Sequence, residues 1–318
     1  MKAIIYTQYG SPQILQYTDI EKPVPKSGEV LIRVRATTVT AADCRMRKAD
    51  TFMGRLFLGL TRPRRQVLGT ELSGEIEAIG DDVTRFKNGD QVYGFTGMGL
   101  GAYSEYCCMP EKGSLVHKPA SISHSEAAAL TDGPTTAFYF LKDKANIRRG
   151  QKVLIIGASG SIGSSAVQIA KHFGADVTGV CSTSNVALVS SLGADQVIDY
   201  TQQDFLHGSE RFDIVFDTVG KSSFAHCKSV LARTGSYLVT VGSLTAYLRT
   251  LLSAISGGET FIYGMSIEKS KAHTYVDRGH KRGNVVIDLD AEDIGASKDA
   301  RRGSTTTLEA GERRVHAS

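Results

Sequence analysis

Gly150 to Lys171, GQKVLIIGASGSIGSSAVQIAK, reads as a strand, a glycine turn and a helix. Val153–Ile156 is a short apolar run between polar residues, the mark of a buried parallel strand. Gly157, Gly160 and Gly163 follow at three-residue spacing, separated by the small Ala158, Ser159 and Ser161, with Ile162 the first apolar residue of the helix. Ile162, Ala166, Ile169, Ala170 and Phe173 then recur at helical spacing until Gly174 ends the run. Unpaired N–H groups and the dipole at such a helix start attract phosphate. A side chain larger than Ser in the turn obstructs the approach. The strand before and the helix after make this a dinucleotide pattern, against the alternative of a tight turn that binds nothing. Gly157 to Gly163 are the expected pyrophosphate contacts.

In many NAD readers an Asp or Glu about twenty residues on, ending the second strand, takes the ribose 2′-hydroxyl. Here the second strand spans about Asp176 to Cys181 and is followed by Ser182, Thr183, Ser184 and Asn185, with no carboxylate between Val177 and Ala194. A 2′-phosphate meets hydroxyls and an amide there, so NADP(H) is expected over NAD(H). The same cluster also reads as a cap for a helix starting near Val186, and no Arg or Lys lies in it.

Around this centre the chain divides. From Val153 onward strands alternate with helices: Val153–Ile156, Val177–Cys181, Gln196–Ile198, Asp213–Asp217, Ser236–Val241 and Thr260–Tyr263, with helices near 162–173, 186–192 and 222–232. This is an α/β, doubly wound parallel sheet. Its ligand sits beyond the strand ends, which puts Asp217–Gly220, with Val219, and Val241, Gly242 and Ser243 beside the cofactor. Residues 1–125 differ. Alternation in EVLIRVRA (Glu29–Ala36) and ELSGEIEAI (Glu71–Ile79), punctuated by Gly, Pro and Asp, predicts a β-rich domain. Ser125–Ala145 reads as one or two helices broken at Pro134, leading into a nucleotide domain over 126–266. The polar, aperiodic stretch 291–318 is expected to be disordered.

The 318 residues are 41% hydrophobic and 22% charged, with a net charge of +4 and the signs intermingled, so no nucleic-acid surface is indicated. Five scattered cysteines form no disulfide framework and suit a reducing compartment. No apolar run reaches membrane-spanning length and the N-terminus opens directly on a strand, so a cytoplasmic location is expected.

Taken together, Gly150, Gln151, Leu154, Ala158, Ser159, Gly160, Gly163, Gln168 and Lys171 resemble the fingerprint of the medium-chain dehydrogenase/reductase superfamily. AIIYTQYGSP (Ala3–Pro12), KPVPKSGEVLIRVRATTVTAAD (Lys22–Asp43), LGTELSGEIEAIG (Leu68–Gly80), FKNGDQVYGF (Phe86–Phe95), GAYSEYC (Gly101–Cys107), SLGADQVIDY (Ser191–Tyr200), FDIVFDTVG (Phe212–Gly220) and GHKRGNVVI (Gly279–Ile287) extend the resemblance over most of residues 1–290. Ser161 departs from it, standing where the family usually has a second glycine. The chain is most similar to the zinc-free quinone oxidoreductase and zeta-crystallin-like branch. That resemblance implies a GroES-like β-rich domain plus a Rossmann domain, with residues 267–290 a shortened return to the β-rich domain. It also implies hydride transfer from NADPH to a quinone or enone, and a homodimer through the edge strand Thr260–Tyr263.

Metal-dependent members carry a Cys three residues before the Asp matching Asp43, where this chain has Thr40, and a His in GHE, which here reads Gly69-Thr70-Glu71. Hydroxyls are poor zinc ligands, and the four-cysteine lobe is absent too, so no zinc is expected. Cys107 and Cys108, adjacent in a strand, point to opposite faces. The resemblance places Thr40 and Asp43 at a substrate-facing turn, although Asp43 also reads as a helix cap ahead of CRMRKA. Tyr93 either lines an apolar cleft or packs in the core. Thr131 and Thr135 either bond the nicotinamide end or cap helices. Tyr200 either stacks on adenine or lies at the solvent edge. Between Ser270 and Lys271 a stretch of roughly thirty residues by ordinary element lengths is missing relative to the family. That loss, with no unmistakable acid or base, favours the alternative of an NADPH-binding protein without turnover. A short-chain dehydrogenase is excluded, because no Tyr is followed four residues later by Lys.

Overall fold

The computed structural model describes residues 1–49, 52–240, 260–263, 285–288, 308–310 and 313–317. The chain splits into two compact units, Met1–Thr131 with Asn284–Ser318, and Asp132–Gly283.

The first unit begins with the strand pair β1 (Lys2–Ile5) and β2 (Gln16–Asp19). The long β3 (Glu29–Val39) leads into helices α1 (Ala41–Lys48) and α2 (Phe52–Leu58). β4 (Glu71–Ile79), β5 (Gln91–Phe95), β6 (Tyr106–Pro110), β7 (Ser114–His117) and α3 (His124–Ala129) follow. β3 pairs antiparallel with β4 on one side and β6 on the other. Its alternating Val30, Ile32 and Val34 enter a core with Leu72, Ile76, Val92, Met109 and Leu115. That is the expected outcome of β-branched residues at a period of two. Cys107 is buried and Cys108 half-exposed, on opposite faces of β6; burial pushes the Cys107 thiol up to about 12.

The second unit opens with α4 (Gly133–Phe138), continued by one π-helical stretch over Tyr139–Lys144. Then come β8 (Lys152–Ile156), α5 (Ser161–His172), β9 (Asp176–Cys181), α6 (Val186–Ser191), β10 (Gln196–Asp199), β11 (Phe212–Asp217), α7 (Phe224–Cys227), β12 (Leu231–Val239) and β13 (Thr260–Tyr263). All pairings are parallel, in the order β10-β9-β8-β11-β12-β13. Numbered within the unit, that is 3-2-1-4-5-6, the doubly wound dinucleotide topology. Val153, Ile155, Ala166, Val167, Ala170, Val177 and Phe216 form its core. β14 (Val285–Asp288) returns to the first unit, pairing antiparallel with Ala36–Val39 of β3.

Several elements differ from the sequence reading. The division falls at Thr131/Asp132 rather than 125/126, because α3 belongs with the β-rich core. Its Ala128 and Ala129 pack on Ala36, and His124 Nδ1 lies 2.8 Å from Ser73 Oγ. Two helices do fill this region, but the break falls at residues 130–132, and Pro134 sits in the first turn of α4, where its missing N–H costs nothing. The helix expected over 222–232 is only Phe224–Cys227, because Leu231 pairs with Phe212 and draws the chain into β12 five residues early. Within 291–318, expected to be disordered, β15 (Leu308–Ala310) and β16 (Arg313–Ala317) form an antiparallel pair, and β16 also pairs with β14. Val315, opposite both Leu308 and Ile287, gives that pairing its apolar centre. The Ser270–Lys271 junction lies outside the described residues.

Candidate dinucleotide site

β8 ends at Ile156, and the turn is fixed from three sides. Gly157 has φ +80°, and a Cβ there meets Val219 Cγ1 at 2.7 Å and Thr218 Oγ1 at 2.9 Å, so only glycine fits. Gly157 and Ala158 both donate their N–H to Val180 O at 3.0 Å. Gly163 lies against the strand, with a Cβ only 2.0 Å from Gly157 O. Gly160 differs from both. It caps α5 with φ −74°, and a Cβ there meets nothing nearer than Gly157 O at 3.4 Å.

Buried Ala158 and Gly163 therefore carry an outward apex of Ser159, Gly160, Ser161 and Ile162. The first helical bond runs from Ser164 N–H to Gly160 O at 2.8 Å, which leaves the N–H groups of Ser161, Ile162 and Gly163 to open the helix. Open space at Gly160 above those donors fits a dinucleotide pyrophosphate.

Asp217, at the end of β11, organises the neighbouring loop. Wholly buried, it accepts the N–H groups of Val219 (3.1 Å), Gly220 (2.8 Å) and Ser222 (2.9 Å) and the Tyr237 hydroxyl (3.1 Å). Thr218 Oγ1 ties the same loop to Ile156 O at 2.9 Å. Val219 is thereby seated over Gly157. The sequence placed Val219 here by strand-end position, but the hub role of Asp217 depends on backbone groups that no residue pattern displays.

At the end of β9, Cys181 is buried, and Tyr200, 59% exposed, follows β10 with its N–H on Cys181 O at 3.1 Å. Asn185 Nδ2 donates to Ser182 Oγ at 2.9 Å. Thr183 Oγ1 donates to Asp199 Oδ2 at 2.6 Å. The sequence reading found no acid on this stretch; parallel pairing of β10 brings one in from the side.

The remaining sites lie in separate elements. Thr40, not Asp43, is the N-cap of α1. Its Oγ1 accepts the Asp43 N–H at 3.1 Å, and Asp43 Oδ2 accepts the Thr40 N–H at 2.9 Å, a closed capping box. Asp43 is 2% exposed, and burial pushes its carboxyl above the usual range against the hydrogen bonds from Thr40. Tyr103, which sequence reading passed over, is buried beside it, and burial together with the Asp43 charge raises its phenol well above the ordinary value. Thr70 is 3% exposed, its hydroxyl without a hydrogen-bond partner among the described residues. Tyr93 is buried in β5. In the first unit Thr131 Oγ1 donates to Ala128 O at 2.9 Å, and in the second Thr135 Oγ1 donates to Asp132 O at 3.1 Å; both are buried. Val241, Gly242 and Ser243 lie outside the described residues. Thr40→Ala is expected to lower stability by about 1 kcal/mol, read as a drop in denaturant midpoint at unchanged slope. No change would show that the box contributes nothing.

The Alcohol dehydrogenase GroES-like domain family matches residues 26–120, and the Zinc-binding dehydrogenase family matches residues 161–276. A quinone oxidoreductase of Pseudomonas aeruginosa is 34% identical over 76% of this chain and 73% of its own. The chain belongs to the quinone oxidoreductase branch of the medium-chain dehydrogenase/reductase superfamily. Within this superfamily, the chain is also 35% identical to a 2-methylene-furan-3-one reductase of Solanum lycopersicum over 77% of its residues, but spans only 63% of that protein. The structure of the quinone oxidoreductase from Coxiella burnetii superposes with a TM-score of 0.77 at 29% identity, covering 86% of each chain. GroES-like and Rossmann-type units are thus those of the superfamily. One matching family is described as zinc-binding, yet the hydroxyls of Thr40 and Thr70 are a poor donor set for that metal.

Proposed function

We propose that the chain is a reductase that uses NADPH in preference to NADH to deliver a hydride to a quinone or an α,β-unsaturated carbonyl, without zinc. The observation that carries this reading is Gly160, exposed and unobstructed above the N–H groups of Ser161, Ile162 and Gly163. The cofactor, when bound, supplies the hydride from its nicotinamide ring. The chain binds and orients. The α5 N–H groups hold the pyrophosphate, Val219 covers the turn, and Tyr200 offers its exposed ring to adenine. Ser182, Thr183 and Asn185, beside Cys181, face the ribose phosphate. Thr131, Thr135 and Val241–Ser243 serve the nicotinamide end. Thr40, Asp43 and Tyr93 position the acceptor, which must itself be electron-poor because hydroxyls rather than a Lewis acid face it. A hydroxyl or water provides the proton to the enolate or quinolate oxygen.

All five cysteines are free, which suits the cytoplasm, and among the described residues no helix is long and apolar enough to cross a membrane. A homodimer through β13, the end of the sheet path, completes the reading.

The test is the loss of NADPH absorbance with purified protein and a simple quinone or enone, with NADH in parallel. Turnover favouring NADPH is expected. Binding without turnover would instead support a cofactor-binding protein, and absence of both would remove the reading.

A further inference from the structure

The ribose end of a dinucleotide is read at the tip of the second strand of this fold, here β9. In this chain a carboxylate beside that tip comes from the next strand. β10 runs parallel to β9 with Asp199 opposite Cys181. Asp199 Oδ2 accepts Thr183 Oγ1 at 2.6 Å, while Oδ1 accepts Thr201 Oγ1 at 2.7 Å and Thr201 N–H at 2.9 Å. The hydrogen bond from Thr183, ahead of those from Thr201, holds this carboxyl below the usual carboxylate range. It is therefore ionised at neutral pH.

Nothing in Ser182–Asn185 offsets that charge. Asn185 Nδ2 is engaged by Ser182 Oγ, and the stretch contains no Lys or Arg. Lys171 is paired elsewhere, with Asp195 at 2.7 Å. Thr183, which the hydroxyl reading offers to a phosphate, already directs its proton to the acid.

We propose that Asp199 is the specificity-determining residue of the cofactor site, a fixed negative charge that opposes the 2′-phosphate of NADPH and keeps the preference over NADH narrow. The assignment rests on the dinucleotide reading of the β8–α5 turn. Like charges within a Debye length of each other repel through partly exposed protein, and salt screens them.

Asp199→Asn removes the charge, keeps the acceptor for Thr201 and turns the other contact round, its amide N–H donating to Thr183 Oγ1; Asp199→Ser serves as a second variant should the first fold poorly. Dissociation constants for NADPH, NADH, adenosine 2′,5′-bisphosphate and 5′-AMP are measured by fluorescence and calorimetric titration at low and high salt. The two 2′-phosphorylated probes are expected to bind about tenfold more tightly to the variant at low salt, with less gain at high salt, and the other two to change by less than about twofold. An unchanged ratio, or an equal shift in all four, overturns the role of Asp199 while leaving the dinucleotide site intact. Failure of the unmodified chain to bind any of the four overturns the site itself, and this proposal with it.

Discussion

Gly160→Val is expected to weaken NADPH binding by at least about a hundredfold, close to 3 kcal/mol, while the second unit stays folded. The two halves of that expectation come from different observations. The fold tolerates the change because Gly160 has φ −74°, an ordinary value for valine, and its Cβ direction is clear of protein beyond Gly157 O at 3.4 Å. Its role as N-cap involves no side-chain bond, so the stability lost is about 1 kcal/mol, the difference between glycine and a branched residue at a cap. Binding suffers because the space that the isopropyl group fills lies at the exposed apex over the first N–H groups of α5. Fluorescence titration with NADPH, with circular dichroism to confirm folding, gives the answer. An affinity equal to that of the unmodified chain would mean that no pyrophosphate sits at this turn.

The glycine turn was legible because its constraints are local. A strand buried on both faces must be an apolar run, and a close strand-to-helix crossing must be small, so residues 150–171 announce both. The doubly wound parallel sheet followed from the alternation of such strands with helices, while its order 3-2-1-4-5-6 is a matter of pairing. What escaped the sequence was set by pairing between segments. Asp199 and Thr183 are sixteen positions apart and meet only because β10 lies beside β9. Asp217 looks like any strand-end acid until the N–H groups that converge on it are seen. The helix expected at 222–232 had the right apolar spacing but lost its C-terminal half to the sheet, where Leu231 gains a parallel partner in Phe212. At Thr40-x-x-Asp43 the spacing of a capping box is present in the sequence, but the cap is Thr40, with Asp43 at the third helical position.

Gly163→Ala, chemically the smaller change, is expected to have the larger effect on folding. Its added methyl would lie 2.0 Å from Gly157 O, 2.8 Å from Ala158 Cα and 2.8 Å from Gly157 C, all backbone atoms of the turn itself. No rotamer relieves that contact. The methyl must push α5 away from β8, and α5 carries Ala166, Val167, Ile169 and Ala170 into the core of the unit. It also seats the N-terminal turn of α5 against α4, where a Cβ on Gly133 would already meet Ser161 Oγ at 2.2 Å. The helix therefore has little room to retreat. Overpacking of this kind costs about 3 kcal/mol or somewhat more, which for a unit of this size lowers the melting temperature by roughly 6–12 °C. Differential scanning calorimetry of the two glycine variants side by side separates the roles. Gly163→Ala is expected to melt early, with NADPH raising its transition by mass action if the turn still forms. Gly160→Val is expected to melt near the unmodified protein, with no such rise. Equal melting temperatures for Gly163→Ala and the unmodified chain would show that the helix does not lie against the strand as closely as 2.0 Å implies, and the dense side of the cradle would have to be rebuilt.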